Sequence, residues 1–264
     1  VYEQTGLTAG TEYSYKVSAV SAAGEGDKSD VLDQATPAGP ASALASSHQS
    51  STAIMLEWTA PTVATGHPVS GYRVYQRVVH ELSDLMGGDV PDAVLTHFFG
   101  DVYEDHVVWS EDTEVYDGTD NTDTNVQVTG LSGGTLYEFV VGPLSLSGEG
   151  DRGTSVVQST APSAPAAPTA SDATTSSLVV TFAAVAVPSG EPVTDYNVYR
   201  DDGLGGSSTP SILATTSAAG SDEMLQITVD SLAAGRTYRI AVTAVSLAGE
   251  SPQSDVIEAT TASG

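Results

Sequence analysis

Two stretches of the chain concentrate side chains that hold metal ions or move protons. Asp117-Gly118-Thr119-Asp120-Asn121-Thr122-Asp123-Thr124-Asn125 is rich in oxygen donors, the ligands that the hard cation calcium takes six to eight at a time. Asp117, Asp120 and Asp123 are the candidate ligands of a weak calcium site there. The run lacks the spacing and closing glutamate of an EF-hand, and the competing reading is a polar turn between two strands. Upstream, His97, Asp101, Glu104, Asp105 and His106 form a denser cluster, with His80 before it. Zinc needs three or four such groups converging with support behind them. Neither spacing nor context supplies that, so a solvated loop is expected. No other cofactor is expected.

Catalytic arrangements are missing. The two histidines outside that region, His48 and His67, fall in expected loops, so no serine is paired with a base by any recognisable spacing. Paired carboxylates abound, but glycoside hydrolysis needs them in a cleft with one pKa raised, whereas open edges leave them in water. The chain is therefore expected not to be an enzyme. No Arg-Gly-Asp tripeptide and no Asn-x-Ser/Thr sequon occurs.

Composition narrows the classes further. The 264 residues carry 34 Asp plus Glu against 8 Lys plus Arg, a formal charge of −26, and no cysteine. Disulfide scaffolds and thiolate metal sites are excluded, and a surface this acidic repels phosphate backbones, so no nucleic-acid partner is expected. A hydrophobic content of 40% argues against global disorder. No run approaches the roughly 18 apolar residues a spanning helix needs, so no direct membrane insertion is expected. The opening Val1-Tyr2-Glu3-Gln4-Thr5 shows no targeting signal.

The elements that would carry these residues are set by a repeat. Leu7, Gly10, Thr11, Tyr13, Val17, Ser21, Gly24 and Glu25 return 124 positions on as Leu131, Gly134, Thr135, Tyr137, Val141, Ser145, Gly148 and Glu149. A third copy follows with Leu232, Gly235, Tyr238, Val242, Ser246, Gly249 and Glu250, 101 positions further on. A second block occurs twice. Leu56-Glu57-Trp58, Pro61, Gly66, Pro68 and Gly71-Tyr72-Arg73-Val74-Tyr75 are matched by Val180-Thr181-Phe182, Pro188, Gly190, Pro192 and Asp195-Tyr196-Asn197-Val198-Tyr199. Tyr13, Tyr15, Val17 and Ala19 alternate onto one face, as do Tyr238, Ile240, Val242 and Ala244, which is the period of a strand. Pro-rich joints at Thr36-Pro37-Ala38-Gly39-Pro40 and Ala161-Pro162-Ser163-Ala164-Pro165 divide the units. Short strands and regular turns in units of about 100 residues indicate an all-β fold of antiparallel sandwiches.

The order Trp58, Gly71 to Tyr75, Leu131 to Tyr137, Gly148-Glu149-Gly150 and Ser159-Thr160-Ala161-Pro162 resembles a fibronectin type III domain, and the third unit matches with Phe182 for the tryptophan. The resemblance implies tandem fibronectin type III, immunoglobulin-like sandwiches. Residues 1–37 would be the C-terminal part of a truncated domain, with complete domains at 38–162 and 163–264. Trp58 and Phe182 would fill the space between the sheets. Tyr13, Tyr137 and Tyr238 suit a tyrosine corner. Gly24, Gly148 and Gly249 would take positive φ in the F to G turn. Pro143 replaces the alanine of the other copies on strand F, which predicts a bulge or a lost ladder bond.

The middle unit carries 23 extra residues between Tyr72 and Leu131, placed after strand C within roughly Val79 to Trp109. Of its 17 acids, 13 lie between Glu81 and Asp123, with no Lys or Arg among them. An ordered elaboration is expected, containing Val94 to Phe99 and Val107 to Trp109, and Phe98, Phe99, Tyr103 and Trp109 are its candidate interaction residues. The resemblance implies a structural or adhesive segment of a larger extracellular or cell-surface protein. Its partners would be other protein domains, copies of itself or a filament. Two alternatives are an accessory array of a secreted polysaccharide-degrading enzyme and an intracellular filament-associated scaffold.

Overall fold

The computed structural model describes residues 2–81, 107–110, 112–205, 211–217 and 224–264, with the backbone alone at 47–49, 79–81, 107–109 and 211–217. Within them the chain is all β, and every strand pair is antiparallel. Among the described residues no helix is long and apolar enough to cross a membrane.

The first unit holds β1 (Glu12–Tyr15), β2 (Val20–Ser21), β3 (Gly24–Glu25) and β4 (Leu32–Ala35), with β1 against β4 and β2 against β3. The second holds β5 (Ser42–Gln49), β6 (Ala53–Thr59), β7 (Gly71–Glu81), β8 (Val107–Trp109), β9 (Thr113–Gly118), β10 (Asn125–Thr129), β11 (Leu136–Ser145), β12 (Gly148–Glu149) and β13 (Val156–Ser159). One of its sheets has the order β10-β6-β5; the other runs β12-β11-β7-β8, with β13 also on β11 and β9 also on β7. The third unit repeats this plan with β14 (Thr169–Ser171), β15 (Leu178–Ala183), β16 (Val193–Arg200), β17 (Ser211–Ser217), β18 (Met224–Val229), β19 (Thr237–Ser246), β20 (Gly249–Glu250) and β21 (Ile257–Thr260). Its sheets are β14-β15-β18 and β17-β16-β19-β20, with β21 on β19.

Alternation drives this arrangement. Ile54, Leu56 and Trp58 on β6 face Tyr72 and Val74 on β7 and Phe139 and Val141 on β11, all buried in one cluster. Trp58 meets Tyr72 edge-on at 5.2 Å, and Phe182 meets Tyr196 at 5.1 Å in a separate cluster that includes Leu178, Val180, Val198, Ile240 and Val242. The two cores share no residue, so each sandwich buries its own. Among the described residues the first unit has no such core. Val17 is 73% exposed, whereas its counterparts Val141 and Val242 are 1% and 0% exposed. Counterparts of Trp58 and Tyr72 that would cover it are absent from the 264 residues.

Strand β7 outruns its counterpart β16 and continues to Glu81, where β8 pairs with it through Val79 and Trp109, His80 and Val108, and Glu81 and Val107. The two ends of the inserted stretch therefore leave the sheet as paired strands. Residues 82–106, including the expected Val94 to Phe99 segment and the cluster from His97 to His106, lie outside the described residues.

Pro143 corrects the expectation of a bulge. The β11 to β7 register runs unbroken from Tyr137 opposite Val78 to Leu144 opposite Gly71. Pro143, on β11 (strand F, with β7 as strand C), faces the other neighbour, strand G, which is interrupted between its two parts β12 and β13, and its carbonyl accepts the Gly150 N–H at 2.8 Å. In the third unit the same gap is bridged by serines: the Ala244 amide donates to Ser251 Oγ at 2.9 Å and the Val242 amide to Ser254 Oγ at 3.0 Å. Pro143 has no N–H to place, and Gly150 stands where Ser251 would have received it. The bond forgone is thus on the G side alone, and the C side keeps its ladder.

Truncating the plug of one core should be felt in that core only. Trp58→Ala is expected to destabilise the middle sandwich by about 3–5 kcal/mol. Calorimetry should then resolve a middle transition moved down in temperature beside an unmoved third-unit transition. An unchanged middle transition would overturn the assignment of Trp58 to the core.

Candidate functional site

Each unit ends in the same small turn. Gly10, Gly134 and Gly235 lie at φ +61°, +65° and +66°, the left-handed region that favours glycine. Their amides donate to the carbonyls of Pro37, Ala161 and Ala262 at 2.7, 2.9 and 3.0 Å. The hydroxyls of Thr36, Thr160 and Thr261 each close the turn twice. They donate to the carbonyls of Thr8, Ser132 and Ala233, and accept the amides of Thr11, Thr135 and Arg236. The tyrosine corners complete it, with the Tyr13, Tyr137 and Tyr238 phenol oxygens accepting the Thr8, Ser132 and Ala233 amides at 2.8 Å.

Two of these turns hold the next unit. The Gly66 amide donates to the Gly10 carbonyl at 2.9 Å, and the Gly190 amide to the Gly134 carbonyl at 2.9 Å. The Glu12 amide donates to Thr65 Oγ1 and the Leu136 amide to Ser189 Oγ, both at 3.1 Å. A Cβ on Gly10 would stand 3.4 Å from Val63, and one on Gly134 3.2 Å from Val187. The partner loops therefore read alike, Val63-Ala64-Thr65-Gly66-His67-Pro68 and Val187-Pro188-Ser189-Gly190-Glu191-Pro192. Their glycines are required by space: a Cβ on Gly66 would come within 2.7 Å of Gly10 backbone, and one on Gly190 within 2.6 Å of Gly134 backbone. The repeat displayed Gly66, Pro68, Gly190 and Pro192, but their role at a joint was not legible because the partner lies more than fifty residues away.

The second site is a charged sheet face on the middle unit, and it holds all three of that unit's bases. Arg73 reaches Glu114 at 3.4 Å, Asp117 at 3.6 Å and Glu149 at 3.2 Å. Arg77 pairs with Glu138 and, at 3.5 Å, with Asp112. Arg152 reaches Asp112 at 2.6 Å and lays its guanidinium 3.5 Å from the centre of the Tyr75 ring. A shallow groove of about 240 Å³ runs between Tyr75, Arg77, Glu138 and Arg152. Sequence reasoning placed Asp112, Glu114 and Asp117 in a stretch without bases. The fold brings the bases to them across the sheet.

The recurring Gly-Glu pair has a shared use. The Tyr75 phenol donates to Glu149 at 2.9 Å, and in the third unit Tyr199 donates to Glu250 at 2.5 Å, joined by Asn197 at 3.0 Å and Thr243 at 2.5 Å. Burial by itself pushes the Glu250 carboxyl up, but the three donors together outweigh it and hold the group below its usual value. Burial, reinforced by the carboxylate beside each, raises the Tyr75 and Tyr199 phenols, so both stay protonated.

The expected site residues fall as follows. Asp117 accepts the Thr119 amide at 3.1 Å and its hydroxyl at 2.6 Å, bonds that lower its pKa. Asp120 sits at φ +62°, and the Asp123 amide donates to Asn121. These residues lie in the turn between β9 and β10, and among the described residues no three His, Asp or Glu form a group able to hold a metal. Trp109 is placed by its backbone on β8 opposite Val79; Phe98, Phe99 and Tyr103 lie outside the described residues.

Paired antiparallel sheets around a Trp or Phe plug, with a tyrosine corner in each unit, define an immunoglobulin-like sandwich array. The family model for the fibronectin type III domain matches residues 39–160 and 163–260, and the chain belongs to that family. Among solved structures it is similar to a two-domain fibronectin type III segment of chicken tenascin, with 19% identity, covering 84% of this chain and 99% of that one, at a TM-score of 0.38. It is also similar to the FN1–FN3 domains of chicken CNTN1, with 17% identity, covering 97% and 79%, at a TM-score of 0.37. No curated protein matches the chain.

The lowered pKa of Glu250 makes a signed prediction. Its contribution to stability is present above the ordinary glutamate range and is lost as pH falls through the depressed value. Glu250→Gln should therefore melt lower than the parent at pH 7, and the gap should narrow steadily as pH falls below the ordinary glutamate range. A gap that keeps its size as pH falls through and below that range would refute the role given to the carboxylate.

Proposed function

We propose that this chain is a non-catalytic structural segment of a larger, multi-domain extracellular or surface protein. It holds successive fibronectin type III units at set positions and offers their exposed faces to other protein domains. The observation that carries this reading is the joint. Two successive joints use the same glycine carbonyl, hydroxyl acceptor and valine contact, so the chain specifies how its units meet as well as how each folds. A flexible tether would need none of these. Fibronectin type III domains are generally non-catalytic modules, and the charge of −26 suits a solvated surface segment.

The exposed features suit binding to protein. Leu146 and Leu247 occupy the same place at successive F to G turns, and each is 84% exposed. The charged groove beside Tyr75 adds paired Arg and Glu side chains of the kind that select a partner by complementarity.

The joints can be tested without unfolding a sandwich, because the added Cβ at Gly66 or Gly190 meets the preceding unit. The double variant Gly66→Ala, Gly190→Ala should keep both main melting transitions. The Leu136 amide should lose protection from exchange by about tenfold, and residual dipolar couplings should report units that reorient independently. Unchanged couplings and protection would mean that the joints do not hold the units, and the spacer reading would fall.

A further inference from the structure

The third turn is built like the other two, but among the described residues nothing is seated on it. Gly235 repeats the left-handed φ of +66°, its amide bond to Ala262 at 3.0 Å, the Thr261 closure and the Tyr238 corner. Gly10 and Gly134 are buried by the loops seated on them, whereas Gly235 is exposed. Among the described residues a Cβ there would meet nothing nearer than the Ser263 Cα at 3.9 Å, in place of the valine that stands against Gly10 and Gly134. The Thr237 amide occupies the position from which the Glu12 and Leu136 amides donate to a hydroxyl of the next unit.

We infer that this surface, around Gly235, Arg236 and Thr237, is a docking platform for a following fibronectin type III unit. The loop it accepts reads Val-x-Ser/Thr-Gly-x-Pro. The argument is continuity with an interface seen twice: the platform atoms are the same, and both occupants share that sequence. The glycine amide of the loop would donate to the Gly235 carbonyl, its hydroxyl would accept from Thr237, and its valine would cover Gly235. Loops of the same molecule cannot serve, because 63–68 and 187–192 are already seated on Gly10 and Gly134. The second and third units thus each have a loop at the front and a platform at the back, a head-to-tail contact that does not close on itself and so continues an array in one direction. The inference rests on the spacer reading above and extends it to a specificity.

The test uses the whole chain extended after Gly264 by a second copy of residues 164–264, which keeps the 101-residue repeat. Amide exchange at Thr237 should slow by about tenfold relative to the unextended chain. Carrying Gly190→Ala in the added copy alone should abolish that slowing. Equal exchange at Thr237 with and without the added unit, while Leu136 stays protected, would overturn the platform and leave the spacer reading standing. Loss of protection at Leu136 as well would count against both. Protection of Thr237 appearing in the unextended chain as its concentration rises would place a second copy there and overturn the assignment to a following unit.

Discussion

The reversal of the chain before strand F is the constraint on which the remaining structure depends. A left-handed residue is needed there, and glycine meets it at 10, 134 and 235 without a Cβ penalty. The conformation turns the glycine amide toward the last strand of its own unit and leaves the carbonyl facing outward. A threonine from the end of strand G and the phenol of the tyrosine corner then hold the turn from two directions. The bonds that fix strand F in its own sandwich therefore also present an acceptor to the next one. Internal stability and the geometry of the array share one set of atoms, which ties the angle between units to their folding.

Charge is distributed by the same sheets. The middle unit has 17 acids and 3 bases, and all three bases stand on one face, among Asp112, Glu114, Asp117, Glu138 and Glu149. These are partly exposed pairs, each worth little alone in water, and their effect is to fix the side chains over Tyr75 and cancel repulsion locally. With five carboxylates to three bases the face stays net negative, but its charges are held in pairs. The Glu of each F to G turn folds back on the sheet in the same way, accepting from Tyr75 in one unit and from Tyr199, Asn197 and Thr243 in the other.

The interrupted strand G shows how one backbone problem receives two solutions. Where the ladder lapses in the third unit, Ser251 and Ser254 supply acceptors from their side chains to amides of strand F. In the middle unit, proline removes one of those amides and glycine replaces both serines, so backbone from Ala38 and Ala41 can approach closely. A Cβ on Gly150 or Gly153 would come within 2.1 or 2.2 Å of their carbonyl oxygens. Proline on a strand paired on both sides reads as a defect in one dimension, and is harmless once the neighbour it faces is known to be broken.

By itself the sequence determined the sandwich fold, the three-fold repeat, the plugs Trp58 and Phe182, the tyrosine corners and the positive φ of Gly24, Gly148 and Gly249. These depend on local alternation and on residues at fixed short spacing, which one dimension displays. Tertiary structure alone decided which distant groups meet: Arg73 and Arg77 across from Asp112 and Glu114, Glu149 under Tyr75, and the Gly66 and Gly190 loops on the preceding units. The repeat had shown those loop glycines, yet a glycine reserved for a turn and one reserved for a neighbour look the same in sequence. What separates them is the space beside the missing Cβ, and that space is made by residues more than fifty positions away.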